Sequence, residues 1–292
     1  MNLFVRSLTG AVFAAVLVSA ILGGAGWSAA LFCLLSALAA AELVKRVNEG
    51  KGTTASPMLA AVNAAAANLS AVSLYLAAEG AGTGMCTAKS CLVPPMLLGA
   101  LFFVIFLREI YGKKATALMN TALTLMPVTY IAVPFALITL TGLEAGKAGG
   151  AVYNGLMPLA VFLFIWSNDV GAYLTGCTLG RHRLFERISP KKSWEGSIGG
   201  ALLTVGVSVL LPLAMPQRFG FLGVWTWVAI AAVTVVAGTY GDLAESLMKR
   251  ELGIKDSGNA LPGHGGWLDR FDSTLFAFPA VTVLLCVRAL LL

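Results

Sequence analysis

Nine long apolar stretches, separated by short charged segments, constrain this chain more than any other feature. They lie at about 7–23, 27–44, 57–78, 92–107, 119–142, 155–178, 197–215, 221–243 and 273–291. A helix that crosses a bilayer needs roughly 20 mostly apolar residues. Inside the hydrocarbon layer every backbone polar group must be bonded internally, so runs of this length and composition are read as helices. The predicted fold is an all-α polytopic membrane protein with about nine transmembrane helices. Composition agrees: 58% of the 292 residues are apolar or aromatic and 12% are charged, against about 25% charged in soluble domains. Mean hydropathy is +0.84. An ordinary soluble domain and a disordered chain are both excluded.

The basic residues set the predicted orientation, because cytoplasmic segments carry the excess of Lys and Arg. With the N-terminus inside, 16 of the 20 basic residues fall on the cytoplasmic side. Only Lys89, Lys147, Arg218 and Arg288 fall outside, and the C-terminus is predicted to be outside. Residues 7–23 also have the outline of a secretory signal, with Arg6 as its basic flank. The next apolar stretch begins at once, at Trp27, so residues 7–23 are expected to be retained as a span. Cys86 and Cys91 share the loop after the third stretch, on the predicted outer side, where a short bridge is expected.

The chain divides at about residue 150. Residues 1–150 read as helix packing and possible dimerisation. The second and third stretches are rich in Ala, and Asn63, Asn68 and Ser70 can bond across helices. Pro127 and Pro134 predict kinks in the fifth stretch. Glu42 and Glu109 sit at span ends near Lys45, Arg46 and Arg108, and surface pairing is their expected role. Residues 151–292 carry the chemistry, with cytoplasmic loops at 179–196 and 244–272.

Three clusters in that second half go beyond packing. Ser167, Asn168 and Asp169 lie in the sixth stretch, with Tyr173 one turn from Asp169 on the same face. A carboxylate in an apolar span is costly, which makes Asp169 a functional candidate. Next, S-P-K-K-S-W-E-G over 189–196 presents Lys191 and Lys192 from a predicted turn. The Gly-rich helix start that follows resembles a phosphate cradle. The third cluster runs from Gly241 to Asp272. Asp242, Glu245, Ser246 and Lys249 recur at helical spacing and share a face. Asp269 and Asp272, three apart, would point the same way if their segment were helical. Hard oxygen ligands so placed suit Mg2+ held together with substrate phosphates. Between them, Pro262-Gly263-His264-Gly265-Gly266 forms a loop whose N–H groups can face an anion. Carboxylates for a metal, bases for phosphates and a Gly-rich turn are the parts that phosphoryl or nucleotidyl transfer needs.

The stretch from Ser246 to Asp272, S-L-M-K-R-E-L-G-I-K-D-S-G-N-A-L-P-G-H-G-G-W-L-D-R-F-D, resembles the signature of the phosphatidate cytidylyltransferases, or CDP-diacylglycerol synthases. Every fixed position of the pattern S-x2-K-R-x4-K-D-x5-P-G-H-G-G-x2-D-R-x-D is met, and Trp267 is a mild departure. The N-D-V-G-A-Y and S-P-K-K-S-W-E-G segments resemble the companion motifs, with Ser193 where Thr is common. The resemblance covers roughly 165–272.

It implies transfer of the cytidylyl group of CTP to phosphatidate, with release of pyrophosphate. It also implies Mg2+, in some members with a second cation such as K+, a homodimer, and a bacterial cytoplasmic membrane location among membrane lipids. Mapped onto this chain, the catalytic residues are Asp242, Lys249, Asp269, Asp272 and His264. Asp242, Asp269 and Asp272 are the metal ligands. The substrate-binding residues are Asp169, Lys191, Lys192, Arg250, Lys255, Asp256, Gly265, Gly266 and Arg270. No nucleic-acid partner is expected. His264 fits a hydrogen-bond donor to phosphate better than a general base, because a phosphate nucleophile is already ionised at neutral pH.

Two rivals are weaker. A transporter would hold its ionisable groups near mid-membrane, whereas these gather at one face. A CDP-alcohol phosphotransferase would carry D-G-x2-A-R…G-x3-D-x3-D, which is missing here. Another lipid phosphate, such as an ether lipid, fits the same signature.

Overall fold

A computed structural model of the protein describes residues 3–78, 90–112, 115–145, 151–258, 260 and 265–291. Among the described residues, eight helices are long and apolar enough to cross a membrane. They are α2 (Ala25–Lys51), α3 (Pro57–Ala78), α4 (Val93–Gly112), the pair α5 (Ala117–Pro127) and α6 (Val133–Leu140) counted as one, α7 (Leu156–Leu179), α8 (Trp194–Ala214), α10 (Val224–Glu251) and α11 (Thr274–Leu291). The first predicted stretch is also a helix, α1 (Leu3–Leu22), whose apolar part Ser7–Leu22 is shorter than the other eight. A four-residue helix, α9 (Pro216–Phe219), lies between α8 and α10. The chain forms two compact units.

The first unit comprises Met1–Gly155 and Leu252–Phe271. Its second and third helices pack through small side chains, with Ala39, Ala40, Ala60 and Ala64 fully buried. Small residues let helix backbones approach closely, and polar side chains then bond across the gap. Asn68 Nδ2 donates to Ser36 Oγ at 3.3 Å and to the Ala132 carbonyl at 3.4 Å. Asn63 Nδ2 reaches the Thr124 carbonyl at 3.5 Å. Both asparagines therefore hold the bundle, as the sequence predicts.

Pro127 ends α5, and a π-turn over Val128–Ala132 leads into α6, which has a proline in its first turn. The Val133 N–H bonds the Val128 carbonyl, five residues back. Proline removes a donor from the ladder and forces this kind of local rearrangement. Phe32, Phe135 and Phe271 form the aromatic centre, with the Phe135 and Phe271 rings edge-on at 4.9 Å. Phe271 is 1% exposed and anchors the end of the Leu252–Phe271 segment in this unit.

Glu109 pairs with Arg108 as expected but is buried rather than superficial. Asn120 Nδ2 donates to Glu109 Oε2 at 2.8 Å, and Asn120 Oδ1 accepts from the Thr54 N–H at 3.0 Å. The group ties α4 and α5 to the α2–α3 connection. A short antiparallel pair, β1 (Leu143–Ala145) and β2 (Ala151–Tyr153), flanks residues 146–150. Cys86, and with it the expected bridge to Cys91, lies outside the described residues.

The second unit comprises Leu156–Glu251 and Asp272–Leu292. Trp227 is fully buried against Phe164, Phe219 and Phe221, and its indole N–H donates to the Phe219 carbonyl at 2.9 Å. α7 and α8 meet where glycine leaves no side chain. A Cβ on Gly200 would stand 2.6 Å from Asn168 Oδ1, and one on Gly171 would stand 2.9 Å from the Gly200 Cα. The S-P-K-K-S segment corrects the predicted turn. It is strand β4 (Ser189–Ser193), antiparallel to β3 (Arg183–Phe185).

α10 has 28 residues, about 42 Å at 1.5 Å per residue. A hydrocarbon layer of about 30 Å takes up roughly 20 residues of an upright helix. The polar end of α10, from Asp242 onward, therefore reaches the membrane surface.

Candidate active site

The second unit builds a charged cleft from α7, the β3–β4 hairpin, α8, α10 and the start of α11. The hairpin is held at its open end by Glu195. The Glu195 carboxylate accepts the Arg181 N–H at 3.1 Å and the His182 N–H at 3.2 Å, and it lies 2.6 Å from His182 Nδ1. Ser193 caps α8, its hydroxyl accepting the Gly196 N–H at 3.1 Å. Lys191 is exposed, and Lys192 Nζ lies 2.6 Å from Asp242 Oδ2.

On α10 the helical spacing acts as predicted. Ser246 Oγ donates to Asp242 Oδ1 at 3.2 Å, and Lys249 Nζ pairs with the buried Glu245 at 2.9 Å. Lys249 is therefore held by a carboxylate of its own helix. Arg250 is exposed, and its Nε donates to the Ile188 carbonyl at 3.3 Å, which ties the hairpin turn to α10.

Asp272 stands at the start of α11. Burial, and then the Asp242 charge beside it, push the Asp272 carboxyl up to about 6, against the pull of Lys249 and Lys192. A buried carboxyl raised by a neighbouring carboxylate in this way fits a hard cation, which removes the repulsion. Among the described residues no group of three or more His, Cys, Asp or Glu is placed to hold a metal. The candidate metal pair is Asp242 and Asp272.

A cavity of about 230 Å³ is lined by residues of α7, β4, α8 and α10, and by Ser273 just before α11. Asp169, Lys191, Lys192 and Asp242 line it, four residues predicted from the sequence. Asn168 and Tyr173 line it too, with Ser197, Thr239 and Ser273, which the sequence reading missed. Thr239 lies three residues before Asp242 on α10, so helical spacing alone places it on the same face. Asn168 Oδ1 is buried against Gly200 and accepts no hydrogen bond among the described residues.

Lys255, Asp256, Gly265, Gly266, Asp269 and Arg270 belong to the first unit. His264 lies outside the described residues. Lys255, Asp256 and Arg270 are exposed. The helix that would turn Asp269 and Asp272 the same way is not formed. Leu268–Arg270 is a single 3-10 turn, and α11 begins only at Thr274. Asp269 Oδ2 instead accepts the Ser257 and Gly266 N–H groups, each at 2.8 Å. Gly265, with φ of 83°, takes the left-handed conformation that favours glycine.

A polytopic helical protein with lysines and paired carboxylates in one cleft at the polar end of a long helix is suited to handling polyphosphate at a membrane surface. The sequence pattern of the cytidylyltransferase family matches residues 4–287, and the chain belongs to that family. It is a nucleotidyltransferase. It is 38% identical over 187 residues to the phosphatidate cytidylyltransferase of Staphylococcus aureus (strain COL), covering 64% of this chain and 67% of that one. Phosphatidate cytidylyltransferases of Staphylococcus haemolyticus (strain JCSC1435) and Staphylococcus epidermidis (strain ATCC 12228) are 37% identical over the same shares.

Proposed function

We propose that this protein transfers the cytidylyl group of CTP to phosphatidate, giving CDP-diacylglycerol and pyrophosphate. The observation that carries this reading is the cleft of Lys191, Lys192, Asp169 and Asp242, in a chain of the cytidylyltransferase family. A phosphate oxygen of phosphatidate attacks the α-phosphorus of CTP. The bond to the bridging oxygen of the β-phosphorus breaks, and pyrophosphate leaves in line. Little covalent chemistry is asked of the protein, so its work is positioning and charge.

Lys191, which lines the same cavity as Lys192 and Asp242, binds triphosphate oxygens. Lys192 holds Asp242 in place and shields it from Asp272. Asp242 and Asp272 would hold Mg2+, which when bound supplies positive charge to the phosphates. Lys249, oriented by Glu245, adds a fixed cation, as does Arg250 at the hairpin turn. Lys255, His264 and Arg270 are assigned to phosphates by the signature they belong to, and the Gly265 and Gly266 N–H groups to an anion.

The lipid substrate enters from the bilayer and CTP from the cytosol. The site therefore faces the cytoplasm at the inner membrane, with the N-terminus inside and the C-terminus outside. A homodimer is the proposed assembly.

Purified protein offered several lipid phosphates, with CTP or dCTP and with or without Mg2+, tests the reaction. Pyrophosphate release that needs both phosphatidate and Mg2+ is expected. Solute flux in proteoliposomes without CTP turnover would replace this reading with a transporter.

A further inference from the structure

Glu42 lies near the end of α2, far in sequence from the signature segment that its carboxylate touches. Ser257 Oγ donates to Glu42 Oε1 at 2.5 Å, and the Leu268 N–H donates to the same oxygen at 3.1 Å. The Trp267 N–H donates to Oε2 at 3.1 Å. One turn further along α2, Arg46 Nε donates to the Ser257 carbonyl at 2.6 Å. Residues at this spacing share a helix face. Both ends of the segment 257–268 are thus tied to one face of α2.

Two glycines of the segment are explained by the same carboxylate. A Cβ on Gly258 would stand 2.3 Å from Glu42 Oε2, and one on Gly266 would stand 2.2 Å from Oε1. A side chain at either position would displace the carboxylate. The segment holds four glycines between 258 and 266, and such a run loses much conformational freedom on ordering. Surface pairing, the expected role of Glu42, needs no backbone partners, whereas this carboxylate meets two backbone N–H groups and a hydroxyl.

We propose that Glu42, with Arg46, is a positioning residue that holds the two described ends of the signature segment, residues 257–258 and 266–268, in their working conformation. The proposal rests on the reading above, in which that segment serves the substrate phosphates. A carboxylate only accepts hydrogen bonds, so it can meet all three donors. A carboxamide has one oxygen, and its NH2 would turn a donor toward donors.

The test combines hydrogen exchange and steady-state kinetics on the full-length protein in nanodiscs. For Glu42→Gln, amide exchange should rise within 257–268 while α2 and α3 keep their protection. With CTP and phosphatidate, kcat should fall about tenfold to a hundredfold, as a misplaced segment would cause. The KM for CTP should stay within about twofold, since the loss lies in the transition state. Unchanged exchange and unchanged kcat would overturn the proposal. If Glu42→Gln does not fold, Arg46→Met decides. It deletes the bond from α2 to the Ser257 carbonyl and should move both readouts in the same direction, and no movement would overturn the proposal. A wild-type protein inactive on phosphatidate would sink the proposed reaction instead. The exchange comparison, which needs no substrate, would still decide whether Glu42 holds the segment.

Discussion

Lys192 bonds Asp242 at 2.6 Å while the Asp242 charge acts on Asp272, so three charges share one corner of the cleft. Lys192→Met would leave two carboxylates facing one another without their cation. We expect kcat/KM to fall about a hundredfold, the size typical of lost electrostatic stabilisation at such sites. Titration of activity with Mg2+ checks this, and a wild-type profile would contradict it. Asp269→Asn separates charge from hydrogen bonding, because the amide oxygen can still accept the Ser257 and Gly266 N–H groups. The variant should insert and fold yet lose transfer, and a folded variant with full activity would remove Asp269 from the machinery. The α10 residues were legible in the sequence, since helical spacing fixes which side chains share a face. Glu42 was not legible. Its partners are 215 to 226 positions away, and backbone N–H partners leave no trace in residue type.

Among the elements, the contact between α7 and α8 sets the width of the cleft that Asn168, Asp169 and Lys192 line. Glycine at 199 and 200 permits it. A Cβ on Gly199 would stand 2.2 Å from Thr175 Oγ1, whereas one on Gly206, further along α8, would meet nothing within 4 Å. Gly200→Val should therefore lower the melting temperature and the activity together. Gly206→Ala should leave activity unchanged and raise stability by up to about 1 kcal/mol, the helix-propensity gain. Thermal melts in detergent compare the two, and equal effects would contradict the packing account. Long apolar runs announced these helices in the sequence, but the β3–β4 hairpin was hidden. Its strand S-P-K-K-S has proline, two lysines and no apolar alternation, so local preference argues against a strand. Pairing with Arg183–Phe185 and the Glu195 clamp supply what the segment lacks.

At the scale of the whole molecule, the chain is a multi-pass membrane protein, and the distribution of its basic residues predicts the orientation. In a background without the native cysteines, single cysteines placed at Arg187 and at Ala81 should react with an impermeant thiol reagent from opposite sides, Arg187→Cys from the cytoplasm only. Labelling of both from one side would overturn the topology. The helices were readable along the whole chain, and the family from roughly 165–272. The division into units was less so, because Leu252–Phe271 belongs to the first unit through buried Phe271, a tertiary choice with no periodic signal.

The central claim is the transfer itself. With CTP labelled at the α-phosphorus, purified wild-type protein given phosphatidate and Mg2+ should move label into a lipid-extractable product, and Asp242→Asn should not. Label that stays in the aqueous phase with the wild type, or reaches lipid equally well with Asp242→Asn, would contradict the account.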